Sequence, residues 1–209
     1  MELDHVLLAV TDLAAAGREL QAGYGLASVE GGRHPDWGTA NRIVPLGDSY
    51  LELIAVVDQA AAAGSSLGRW VASRASRLGR PLGWAVRTSE LDAIARRRGL
   101  IVHSGARVVP SGEVLRWRSA GVDQAAAEPS LPFFIEWAAG IRLPGATAVT
   151  HPAAPAGIAK LHLEGDPDRL AAWLGNHVLP IVVRPGRPAV TAIVLATARD
   201  EIVLDARQP

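Results

Sequence analysis

The chain opens with a short apolar run, Val6 to Val10, in which every residue suits a β-strand. Asp12 can then cap a helix from about Leu13 to Ala22, ended by Gly23 and Gly25. Leu26 to Val29 reads as extended and Gly31-Gly32 as a break. Thr39 to Leu46 is a further strand, and Gly47-Asp48 turns the chain into a strand from Tyr50 to Val57. The same β-α-β-β-β order returns downstream. Leu82 to Thr88 is a strand, Ser89 a helix N-cap and Glu90 to Arg98 a helix ahead of Gly99. Leu100 to His103, Val114 to Ser119 and Phe133 to Trp137 are three more strands. A third, shorter copy follows a Pro-, Ala- and Gly-rich connection from Leu143 to Gly157. Its strand is Ile158 to Glu164, its helix starts at Pro167 and runs to Leu174, and Leu179 to Val183, Val190 to Ala196 and Glu201 to Asp205 close it. Each unit makes a one-sided sheet that another unit must cover.

Two of these strands carry one ligand-type side chain each. Alternation puts His5 on a face with Leu3, Leu7 and Ala9, and Glu52 on a face with Tyr50, Ile54 and Val56. An ionisable group on an apolar face costs free energy unless it is paired or bound to a metal. Either each has a hydrogen-bonding partner, the two satisfying one another as an ion pair, or they help build a site. Overlaying Ala9-Val10-Thr11-Asp12-Leu13 on Arg87-Thr88-Ser89-Glu90-Leu91 sets His5 opposite Gly83. The closing strands of the two units then set Glu52 opposite Glu136.

Composition narrows the function classes. With 209 residues, 49% hydrophobic and 20% charged, the chain can build a substantial core. Its 21 basic and 21 acidic residues cancel, so no long-range field favours nucleic acid or an anionic membrane. The absence of cysteine removes thiol nucleophiles, disulfides and Cys-ligated zinc, and fits a cytoplasmic protein. No apolar run approaches the ~18 residues of a membrane span, and no Walker loop or Gly-x-Ser-x-Gly elbow is present.

Two βαβββ units with His on the first strand and Glu on the fourth resemble the vicinal oxygen chelate superfamily, and its glyoxalase-like branch most. The opening Leu3-Asp4-His5-Val6 carries this, with the stretch from Gly31 to Arg42 leading into Gly47-Asp48-Ser49-Tyr50-Leu51-Glu52-Leu53-Ile54. The second unit adds Leu82-Gly83-Trp84-Ala85-Val86-Arg87-Thr88, Leu115-Arg116-Trp117-Arg118 and Pro132-Phe133-Phe134-Ile135-Glu136-Trp137. The resemblance implies an α+β fold of paired βαβββ modules, 1–57 and 81–140 within a domain spanning 1–142. Their mixed sheets would curl into a cup of the glyoxalase/bleomycin-resistance kind, with a partial third unit over 157–209. It also implies a divalent metal on His5, Glu52 and Glu136, the fourth position being Gly83. Two carboxylates and one imidazole suit a hard or borderline ion: Mg²⁺, Mn²⁺, Zn²⁺ or Ni²⁺. Glu136 is expected as a ligand or as a proton-shuttling base.

Substrate contacts are expected from His34 in a Gly-rich loop, Asn41, Arg116 and Trp84. Their structural alternatives are, in turn, exposure, a satisfied sheet edge, a solvated outer face shared with Arg118, and packing. The expected function is a metal-assisted lyase or isomerase acting on a small oxygenated molecule. The alternative is a non-catalytic protein of the bleomycin-resistance type that sequesters a small molecule. An odd third unit leaves sheet surface uncovered, so a homodimer is expected, with small-molecule ligands and neither nucleic acid nor membrane as partners.

Overall fold

The computed structural model describes residues 1–77, 79–109, 112–198 and 200–206. The first unit comprises β1 (Glu2–Ala9), α1 (Leu13–Tyr24), β2 (Val29–His34), β3 (Thr39–Pro45) and β4 (Tyr50–Val56). Two short helices, α2 (Gln59–Gly64) and α3 (Ser66–Arg74), separate it from the second unit. That unit comprises β5 (Arg80–Arg87), α4 (Leu91–Arg98), β6 (Val102–Val108), β7 (Val114–Ala120), α5 (Val122–Ala127) and β8 (Phe133–Trp137). A C-terminal unit adds β9 (Pro155–Gly165), α6 (Pro167–Leu174), β10 (Ile181–Pro185), β11 (Ala189–Thr197) and β12 (Glu201–Asp205). No helix among the described residues is long and apolar enough to cross a membrane.

The first two units share one eight-stranded sheet in the order β2-β3-β4-β1-β5-β8-β7-β6, curled into a nearly closed cup. Their first strands pair antiparallel at its centre, with His5 beside Ala85 and Leu7 beside Gly83. Exchanging His5 with Gly83 and Leu7 with Ala85 maps one pair onto the other, so the duplication is a two-fold relation within the sheet. At its far edges the Gly32 backbone approaches β6 closely enough that a Cβ there would lie 2.7 Å from the Val108 carbonyl oxygen.

The strands bury side chains on both faces. Leu3, Val6, Leu8, Leu51, Leu53, Trp84 and Val86 face a convex-side core with α1, α4 and the C-terminal unit; Leu7, Ala9, Ile54, Ala85 and Ile135 face the cup interior with α3 and α5. This double burial explains why Val6 to Val10 reads as a continuous apolar run. Strict alternation fails at one place: a register shift between Leu3 and His5 sends Leu3 to the convex core while His5 enters the cup.

Several local expectations change. Gly31-Gly32 lies inside β2, next to a bulge, and does not break the strand. A side chain on Gly31 would overlap Asn41. The cap of α4 is not Ser89; the Thr88 hydroxyl accepts the Glu90 N–H at 3.0 Å. Helices α2, α3 and α5 go unread in the hydrophobic pattern. Asp58 and Ser65, which accept from Ala61 N and Gly68 N, are the cap signals for α2 and α3. The C-terminal unit keeps the β-α-β-β-β order but pairs as β10-β9-β11-β12, so its first strand sits between the second and third. In the other two units the fourth strand lies beside the first. Leu161, Leu163, Ile193 and Leu195 bury the apolar face of this small sheet in the convex-side core, within the same chain.

Helix α3 crosses the cup directly over Gly83, where a Cβ would overlap the Trp70 indole. Gly83→Ala is expected to destabilise the protein by about 1–3 kcal/mol through overpacking. Combined with Trp70→Leu, which removes the obstructing ring, the two costs should be clearly less than additive in urea unfolding. Strict additivity would show that Trp70 does not occupy that space.

Candidate functional site

Inside the cup His5, His34, Asn41 and Glu52 come together, all buried. His5 and Glu52 arrive on neighbouring parallel strands, and Asn41 and His34 on β3 and the end of β2. The His5 Nε2 lies 3.4 Å from Glu52 Oε2, and the Asn41 amide donates to Glu52 Oε1 at 2.6 Å. On the other side of the ring, His5 Nδ1 meets Asp4 Oδ1 at 2.6 Å.

Asp4 is 1% exposed, yet donors surround it. The Trp137 indole N–H donates to its Oδ2 at 3.0 Å, the Tyr50 hydroxyl bonds to it, and Arg87 Nη1 lies 3.5 Å away. An ionised carboxylate only accepts, so this environment assigns the Nδ1 proton to His5 and turns Nε2 toward Glu52. The imidazole is clamped between Tyr50, stacked at 4.7 Å and 21°, and the edge of Phe133 at 5.5 Å. Burial first, then Asp4 and Glu52, push the Tyr50 phenol well above its ordinary value, so it stays a neutral donor.

The remaining wall is aromatic. Trp37, Trp117 and Trp137 form a chain of tilted ring contacts, with His34 against Trp37 and Trp117. The cavity they enclose measures about 40 Å³, room for water more than for a substrate. Trp37, Leu67, Ser119 and Val122 also line an outer groove of about 400 Å³ and form the partition between the two spaces.

Other expected residues lie elsewhere. Glu136 does not join His5 and Glu52: it occupies the opposite face of β8 and is bound by Arg118, which also pairs with Asp92 of α4. The register explains this. Leu7 pairs with Glu52 and Ala85 with Phe133, so Phe133, three residues before Glu136, is the true counterpart of Glu52. An odd offset reverses the face. Arg116 is exposed on the same outer face as Arg118. Trp84 is fully buried in the convex-side core, its indole N–H donating to the Ser130 carbonyl. The four positions at which the family holds a metal thus carry His5, Glu52, Gly83 and Phe133. Trp70 fills the space beside Gly83 and Phe133 has no donor atom. Among the described residues no three His, Cys, Asp or Glu side chains are grouped to hold a metal ion. This donor set does not fit the expected Mg²⁺, Mn²⁺, Zn²⁺ or Ni²⁺ centre.

The strand pattern places Tyr50 on the Glu52 face without a role, and Asp4 and Arg107 go unread. Asp4 was signalled only by its place beside His5. Arg107 carries no local signal at all.

His34 is 5% exposed, its Nδ1 3.1 Å from the Thr39 hydroxyl. Burial, opposed by Glu52 and assisted by Arg107, lowers its pKa from 6.5 to about 4. Between those values the unfolded chain binds a proton that folded His34 refuses. Its contribution is therefore complete above pH 6.5 and falls by up to about 3 kcal/mol as the pH drops to 4. In urea unfolding at pH 7.5 and 4.5, His34→Gln should lose that part of the acid dependence; an unchanged difference would mean the folded chamber admits the proton freely.

A family model described as a glyoxalase-like domain matches residues 3–178. None of the curated proteins matches the chain significantly. Among solved structures, a hypothetical protein from Staphylococcus aureus is similar over 97% of this chain and 84% of its own, with a TM-score of 0.61 at 14% identity. Methylmalonyl-CoA epimerase from Mycobacterium tuberculosis covers 65% of this chain and 85% of its own at 22% identity, TM-score 0.45. The Streptomyces coelicolor epimerase (Q60A) in complex with 2-nitronate-propionyl-CoA covers 66% and 97% at 21% identity, TM-score 0.46. At 14% identity the likeness to the Staphylococcus aureus protein is one of fold. With a family model spanning most of its length and two βαβββ modules sharing one cup, the chain belongs to the glyoxalase-like domain family of the vicinal oxygen chelate superfamily.

Proposed function

We propose that the chamber is the proton-transfer site of an isomerase- or lyase-type enzyme acting on a small oxygenated molecule, worked by His5 and Glu52. The observation that carries this reading is the series Asp4–His5–Glu52–Asn41, hydrogen-bonded at both ends with His5 Nε2 and Glu52 Oε2 facing each other at 3.4 Å between them, beside a cavity whose other walls are aromatic and apolar. Asp4 fixes the ring and supports a positive charge on it, as the carboxylate of a carboxylate–histidine pair does elsewhere. Asn41 holds one Glu52 oxygen and leaves the other facing Nε2. Imidazole and carboxylate thus share a site for one proton.

A C–H bond next to a carbonyl breaks by giving its proton to the Glu52 carboxylate or to Nε2. The electron pair moves onto the carbonyl oxygen as an enolate; return of the proton to the same carbon completes an exchange or epimerisation, and with an α-hydroxyl group its return to the neighbouring carbon, with the hydroxyl proton passed to the former carbonyl oxygen, completes an isomerisation. Exclusion of water strengthens every charge interaction along this path. A second reading, binding without chemistry, draws on the three tryptophans and Phe133, which suit a planar ligand.

The two readings separate by proton exchange. With hydroxyacetone, dihydroxyacetone or pyruvate in D₂O, the protein should speed loss of the α-proton NMR signal for at least one of the three. Glu52→Gln and His5→Asn should each slow that exchange by about 100-fold or more. Wild-type protein that binds a compound and never exchanges its protons would sink the catalytic reading and leave the second.

A further inference from the structure

One charged side chain in the cup has no role in that proton path. Arg107, on edge strand β6, is 5% exposed and lines the same cavity as His5 and Glu52. Its Nε has no hydrogen-bond partner, and among the described residues it forms no ion pair. A guanidinium is always charged and carries five donors in a planar fork. Burying one unpaired costs several kcal/mol, so this arrangement is not explained by packing. The facing edge packs on its stem: a Cβ on Gly32 would stand 3.4 Å from Arg107 Cδ, in van der Waals contact. Arg107 also lines an outer groove of about 430 Å³ with Glu30 and Arg33, which places it in the wall between solvent and chamber at the seam of β2 and β6.

The surroundings say what it awaits. Glu52 and Arg107 line the same small chamber as His34 and Tyr50, so a carboxylate and a guanidinium share it. His34 stays neutral there and does not compete for an anion. We infer that Arg107 is the receptor for a carboxylate on the ligand, which narrows the ligand class to small oxygenated monocarboxylates. A planar carboxylate matches the guanidinium fork with two parallel hydrogen bonds. Anchored there, the rest of a molecule of three or so carbons reaches toward the His5–Glu52 pair. This inference deepens the proton-transfer reading of the same chamber, yet its test reads binding alone.

Trp37, Trp117 and Trp137 line the cavity and supply the signal. Tryptophan fluorescence is titrated with pyruvate and, separately, with its neutral counterpart hydroxyacetone. Pyruvate should give a saturable change and hydroxyacetone should bind at least tenfold more weakly. Arg107→Met should abolish pyruvate binding, and Arg107→Lys, which keeps the charge and loses the fork, should weaken it about tenfold. Equal binding of the two probes, no binding of pyruvate up to 10 mM (about that limit being a very weak interaction), or unchanged binding by Arg107→Met would each overturn the inference. So would displacement of pyruvate by an equal concentration of phosphate, which would assign the site to tetrahedral anions. Should Arg107→Met fail to fold, the wild-type comparison decides by itself. Pyruvate held by Arg107 without proton exchange refutes the catalytic reading alone; exchange with hydroxyacetone and indifference to pyruvate refutes this inference alone.

Discussion

A carboxylate buried to 1% exposure keeps its charge only if donors replace the water it has lost. Asp4 meets that constraint with donors from four strands: His5 beside it on β1, the Tyr50 hydroxyl from β4, Arg87 from β5 and the Trp137 indole from β8. Those strands are the central part of the sheet, where the two modules join. Satisfying one buried charge therefore ties both modules together and fixes the orientation of a histidine at the same time. Arg87 also pairs with Glu2, which anchors the exposed end of the arrangement. Removing any one donor would leave the carboxylate short of partners, the costly case for a buried ion.

The two-fold relation between the modules is a property of the backbone that the chemistry does not follow. His5 and Glu52 sit where the second module has Gly83 and Phe133. On the first side the polar groups satisfy one another; on the second, Phe133 presses its edge on the His5 ring and Trp70 fills the hollow beside Gly83. The second module's half of the cup is thus a packed aromatic wall.

Much of the architecture was legible because the modules obey simple periodicities. The alternation in Tyr50 to Val56 was right, and the register of β1 against β5 agrees with the overlay of His5 on Gly83. The errors have physical causes. Setting the closing strands of the two units against each other puts Glu136 opposite Glu52, whereas strand pairing sets the correspondence three residues earlier, and that offset turns the side chain outward. The bulge beside Asp4 breaks the alternation that grouped Leu3 with His5. Gly31-Gly32 has the composition of a turn, but serves to let Asn41 and β6 come close. Helices α2 and α3 lie in a stretch rich in Ala, Ser and Gly whose apolar face is completed only by the cup it covers. Arg107 stands in a strand of mixed exposure, where nothing local separates a solvated arginine from one turned inward.

Those same unread helices help enclose the chamber. The two modules could close the sheet without α3 or α5, which are additions over the mouth of the cup; Leu67 from α3 and Val122 from α5 stand with Trp37 between the 40 Å³ interior and the outer groove. A chamber this small excludes most water and so strengthens the Asp4–His5–Glu52 series. Helix α5 has only six residues and begins at Gly121 without a side-chain cap, so packing holds it: Ala125 is fully buried in the cup-side core with Leu67, Trp70 and Val71 of α3. The sheet, buried on both faces, keeps the ionisable groups in place, and the two helices complete the enclosure that makes their charges count.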